Sequence, residues 1–273
     1  MEKELRLIAL IDLPDQTDPM IQMAISFSRQ LKAQVLLLHQ VPALVPAMAD
    51  AATRADILHL EKEDALKKLK DLVKKYDEDT NTNILVTEKD ILTVLDALDH
   101  TNFDNLVLLW LKGTSLFKRF LLGSTATRIV DGTDLPVVAM PIQKQRSLPD
   151  VLVVAVSYKY PLNRSAFDIL LHHMSTTLKR LEFITVVEED DDEHTACRYV
   201  KDLSSSYTNH RSVSHIFKGE DPIGHILQYM EQNDHPFLVI QQGSRSVMES
   251  LFRKFMVNEL VYHGQTPLII IPK

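Results

Sequence analysis

Cysteine is almost absent: Cys197 is the only one in 273 residues, so no internal disulfide framework exists and a cytoplasmic location is the expectation. That thiol falls in a helical pattern, where packing is the simplest role. Long apolar runs are missing too, and without about 18 consecutive apolar residues no transmembrane helix is expected. The start "MEKELRLIAL" has two glutamates where a secretory leader carries basic residues. Positive charge is in deficit, since 30 Lys and Arg against 37 Asp and Glu leave a net charge of -7, which argues against broad nucleic-acid binding. Catalytic signatures are lacking as well: there is no GxxxxGK[ST], GxSxG, HExxH or CxxC. Histidines gather after residue 170, including His172, His173, His210 and His215, but their spacing fits no standard ligand pair, so no metal is expected. Glycine is scarce, with only seven residues, and three of them, Gly113, Gly123 and Gly132, fall close together.

What is present is a repeat. Short apolar runs, "RLIALID", "AQVLLLHQV", "TNILVTE", "NLVLLW" and "LPVVAMP", alternate with helical patterns, as expected of a parallel sheet covered on both faces. The helices are "DPMIQMAISFSRQLK", a long one with Ala65, Leu66, Leu69, Leu72, Val73 and Tyr76 on one stripe, "ILTVLDALDH", and a short one from Ser124. The second half runs through the same order, from "VLVVAVS" and "NRSAFDILLHHMSTTL" to "SLFRKFMVNELV" and "TPLIIIP". The polar segment "QKQRSLPD", 143–150, reads as the linker, giving domains over 1–144 and 149–273. Each half is predicted to be an α/β, doubly wound unit.

An aspartate closes the first strand, and Gly113, Gly123 and Ser124 follow the fourth in the last two-thirds of a G-x2-G-x9-G-[ST] pattern. On these residues and on the order of elements, the whole chain resembles a tandem universal stress protein. The resemblance implies a Rossmann-like, five-stranded parallel sheet of order 3-2-1-4-5 in each half, and ATP or AMP held by Asp12, Val41, Gly113, Thr114, Gly123, Ser124 and Thr125. It also implies that the last strands pair antiparallel, Leu135–Met140 against Thr266–Ile271, making the two domains an intramolecular pseudo-dimer. Some members of that family bind no nucleotide.

The chemistry of the glycine segment stands apart from the resemblance. Glycines let backbone approach phosphate, and the amides opening the Ser124 helix present positive potential, aided by Lys112, Lys118 and Arg119. The plainer reading makes Gly123 a turn residue and Ser124 a helix cap. Trp110 stands where the family has its first glycine, as a core residue, a plug in the phosphate approach or a stacking platform for a base. Asp12 has a plainer role as a turn residue, and Leu13 and Pro14 replace the glycine-serine that the family carries there.

The second repeat has lost the pattern. Asn258 and Glu259 stand where the first has Gly123 and Ser124, and Ser157 replaces Asp12. Its second strand runs into the six carboxylates of Glu188–Glu193, a solvated loop that disfavours an anion. The expectation is therefore a non-enzymatic stress-response protein binding nucleotide in the first domain only. The alternatives are a degenerate scaffold acting through a protein partner, and a weak nucleotide hydrolase for which no catalytic base can be named.

Overall fold

The computed structural model describes residues 3–13, 17–42, 50–77, 82–111, 125–141, 147–187, 191–219, 222–232, 236–242 and 267–273. The chain divides into two compact units, Met1–Leu109 and Trp110–Lys273.

In the first unit, β1 (Glu4–Ile11), β2 (Gln34–Gln40), β3 (Thr82–Thr87) and β4 (Phe103–Leu111) lie in the order β3-β2-β1-β4. β1 runs parallel to both of its neighbours, with Ile8 opposite Leu36 and Val107. Leu7, Ile8 and Ala9 are fully buried in succession, because helices must cover both faces of an inner parallel strand. α1 (Thr17–Leu31) buries Met20, Ile21, Met23, Ala24, Phe27 and Leu31 on its covered side. It stops where Lys32 turns left-handed, with φ of 53°, and the amide of Ala33 returns to the carbonyl of Ser28 at 2.9 Å. α2 (Ala51–Val73) buries Ala65, Leu69 and Val73 of the stripe read from the sequence, while Leu66, Leu72 and Tyr76 are half-buried. α3 (Ile91–Asp99) is capped by Asp90, whose carboxylate accepts the amide of Leu92 at 2.9 Å.

At the base of this sheet Arg6 replaces apolar packing with a polar knot. Its Nε donates to Asn105 Oδ1 at 2.8 Å and its Nη2 to Thr101 Oγ1 at 2.7 Å, while the guanidinium lies 4.5 Å from the centre of the Phe103 ring. Burial pulls this guanidinium below its ordinary value. The amide of Asn105 in turn donates to the carbonyl of Leu98 at 2.9 Å, tying the end of α3 to β4.

The second unit contains α4 (Thr125–Gly132), β5 (Val137–Pro141), β6 (Val151–Ala155), α5 (Arg164–Met174), β7 (Arg180–Val187), α6 (Glu193–Ser206), β8 (Val213–Lys218), α7 (Pro222–Glu231), β9 (Phe237–Gln241) and β10 (Leu268–Ile271). Its strands lie in the order β5-β10-β9-β6-β7-β8. The strands of the second repeat thus follow 3-2-1-4-5 in their own numbering, all parallel. β5 joins them antiparallel, with Ala139, Val138 and Val137 opposite Leu268, Ile269 and Ile270, inside the ranges expected for the two last strands. The helix read from "SLFRKFMVNELV" lies outside the described residues.

Two features of this unit escape the apolar pattern. Phe167, Phe183 and Tyr207 form an aromatic trio with centroids 5.5 to 6.0 Å apart. Glu182, only 3% exposed, sits within β7, held by Arg180 Nε and by the hydroxyl of Tyr229 at 2.5 Å.

Candidate functional site

Open parallel sheets take ligands at strand C-termini beside the point where the strand order reverses, which in the first repeat is the end of β1 and β4. Asp12 follows β1 directly and is exposed. Its carbonyl accepts the hydroxyl of Thr17 at 3.3 Å, which fastens the loop backbone to the start of α1. Just before it, the carbonyl of Ile11 is bonded to Nδ1 of the buried His39 at 2.9 Å. A carbonyl can only accept, so this nitrogen carries the proton. The strand end that presents Asp12 is therefore braced from β2, and the sequence reading missed that brace: His39 lies in an apolar strand with no motif to mark it.

Val41 follows β2 and is buried. Its amide donates to the carbonyl of Thr87 at 2.8 Å, the last rung toward β3. Backbone recognition of a base from this residue is thereby narrowed to the carbonyl, which accepts an exocyclic amine.

α4 is described from Thr125 onward. Gly113, Thr114, Gly123 and Ser124 themselves lie outside the described residues, and with them the cradle expected for phosphate. Trp110, at the end of β4, is half-buried, and its indole Nε1 is buried without a hydrogen-bond partner. An indole nitrogen is a donor only, and a buried donor left unsatisfied costs about 1–3 kcal/mol.

At the corresponding strand ends of the second repeat, Ser157 is engaged in a turn, bridged to Tyr160, with its Oγ accepting the amide of Lys159 at 3.3 Å. No group of His, Cys, Asp and Glu able to hold a metal ion is found among the described residues, and no described helix is long and apolar enough to cross a membrane.

Comparison with known proteins assigns the class. The model of the universal stress protein family matches residues 5–141, and the chain belongs to that family. Among solved structures it is similar to a universal stress protein from Archaeoglobus fulgidus DSM 4304, at 18% identity, with 98% of each chain covered and a TM-score of 0.70. It is also similar to a putative universal stress protein from Pseudomonas aeruginosa UCBPP-PA14, at 12% identity, covering 99% of this chain and 93% of that one, with a TM-score of 0.59. The cytoplasmic domain of a prokaryotic cation chloride cotransporter is similar at 12% identity, 98% and 95% coverage and a TM-score of 0.52. No curated protein matches the sequence. At these identities the likeness shows the fold, and a transporter domain among the neighbours shows that the fold alone does not select a function.

Proposed function

We propose that the protein is a non-enzymatic, cytoplasmic universal stress protein that binds ATP or AMP through its first repeat and uses the nucleotide as a conformational ligand. The observation that carries this reading is the passage from β4 to α4. Its sequence holds Gly113, Gly123 and Ser124 and leads into α4, described from Thr125, whose opening amides would attract phosphate. Asp12, exposed at a braced strand end, is the partner for a ribose or base hydrogen-bond donor. Trp110 supplies an indole N–H whose need for an acceptor a nucleotide meets. The chain lacks the catalytic signatures of a nucleotide hydrolase, so binding without turnover is the simpler role. The β5–β10 ladder joins the last strands of the two repeats, which supports a pair of domains held together within one chain.

A second reading rests on Trp110 itself: an indole in place of the first family glycine fills the phosphate approach and leaves a scaffold that works through a protein partner. Titration calorimetry with ATP and AMP separates the two. The first reading requires one nucleotide per chain and a loss of affinity of at least about tenfold in the Gly123→Asn, Ser124→Glu double variant, which copies the second repeat into the first and sets a carboxylate against phosphate. Two nucleotides per chain, or an unchanged affinity, overturns the assignment to the first repeat. No binding of either nucleotide leaves the scaffold.

A further inference from the structure

The loop that leaves β6 is fastened on every side. At its far end the amide of Asn163 donates to Gln241 Oε1 at 2.6 Å, and Gln241 Nε2 donates back to the carbonyl of Pro161 at 3.2 Å. One side chain at the end of β9 thus clamps the loop that follows β6, across the point where the strand order of this repeat reverses. The amide of Leu162 donates to the hydroxyl of Tyr199, on α6, at 2.7 Å. Asn163 Nδ2 donates to the carbonyl of Lys273, beyond β10, at 2.7 Å. At the near end, Lys159 Nζ pairs with Asp191, a carboxylate only 8% exposed, and the hydroxyl of Tyr158 accepts the amide of Asp192 at 3.2 Å.

The two helix N-termini beside this crevice are engaged as well. Asn163 Oδ1 accepts the amide of Ala166 at 3.1 Å and caps α5, while Asp192 accepts the amide of Thr195 at 3.1 Å and caps α6. Asp192 adds negative charge where a phosphate would need positive potential. The backbone donors that an open parallel sheet turns toward a ligand are here turned toward the protein's own side chains.

We infer that residues 157–163 form a strap tied down at the ends of β6 and β9, whose Leu162 and Asn163 amides are committed to the protein's own side chains and are not offered to a nucleotide. The strap stands whether or not the first repeat binds nucleotide, so it is tested separately. Amide hydrogen exchange on the full chain, resolved to single residues by NMR, reads it. The amides of Leu162 and Asn163 exchange slowly, as bonded groups do. Gln241→Ala speeds exchange at Asn163, and Tyr199→Phe speeds exchange at Leu162, each roughly two- to tenfold, the factor expected of one hydrogen bond. The core amides of β6 and β7 stay unchanged in both variants and report an intact fold, and a variant that unfolds is replaced by the other. Saturating ATP or AMP leaves the strap amides as they were, even where it perturbs the first repeat. Exchange at Leu162 and Asn163 as fast as in free chain, or nucleotide-dependent slowing within 157–163, overturns the proposal.

Discussion

Tyr207 joins packing and charge in a way that a single atom can test. Its hydroxyl donates to Asp168 Oδ1 at 2.7 Å, while its ring packs 5.5 Å from the centres of both Phe167 and Phe183. Burial, followed by the hydrogen bond and charge of Asp168, pushes the phenol well above its ordinary value. Tyr207→Phe removes the hydroxyl and keeps the ring. A hydrogen bond to a charged acceptor contributes about 1.5–3 kcal/mol, but Asp168 is exposed, and solvent screening lowers the expected loss at neutral pH to about 1 kcal/mol. The sign with pH follows from proton linkage. A phenol raised on folding stabilises fully below its unfolded value, about 10, and that contribution is lost as pH climbs toward the folded value. One proton corresponds to at most about 1.4 kcal/mol per pH unit, and less at this part-exposed site. Urea unfolding of both proteins at about pH 8 and about pH 11 brackets the titration of a free phenol. The native protein should lose more stability than the variant between the two. Tyr199, which is also raised by burial, is present in both proteins, so the Tyr207 hydroxyl and its coupling to Tyr199 are what the comparison reads. Equal stability at the lower pH, or parallel losses on going to the higher, would refute the role assigned to the hydroxyl.

Phe167, fully buried at the centre of the same trio, should lose about 3–5 kcal/mol on replacement by Ala, measured by urea unfolding; a loss under about 1 kcal/mol would show that the site collapses without a cavity. In the first unit, Arg6→Ala strips a donor from the buried Asn105 and should cost about 1–3 kcal/mol by the same measurement, whereas an unchanged midpoint would show that Asn105 finds another donor.

Strands and helices were legible because their cause is local. "VLVVA" is buried at every position, and an uninterrupted apolar run is what two covered faces demand. α4 is found from Thr125, next to the Ser124 read as its start, which itself lies outside the described residues. The strap was not legible, because its bonds join residues far apart in the chain: Asn163 meets a side chain 78 residues away and a carbonyl 110 residues away. Gln241 and Tyr199 are ordinary residue types that acquire a role only once β9 pairs with β6 and α6 packs on β7. Glu182 hid for a different reason, since a charge within a strand reads as solvent-facing, and only Arg180 and Tyr229 make its burial tolerable. On the candidate site the sequence reading placed Asp12 at the strand end, but not the brace of His39 behind it or the engagement of the Val41 amide by Thr87.

The two repeats show how such a fold keeps its architecture while its site diverges. Apolar strands and helix stripes determine the sheet, whereas ligand binding depends on a few loop residues beyond the strand ends, which vary at little cost to the core. A loop that loses its ligand must still satisfy the backbone groups that the ligand would have met. In the second repeat Gln241, Tyr199 and Asn163 meet the amides of Asn163, Leu162 and Ala166 from within. A ligand that accepts from the Asn163 amide would first have to displace Gln241 Oε1, whose Nε2 is at the same time bonded to the carbonyl of Pro161.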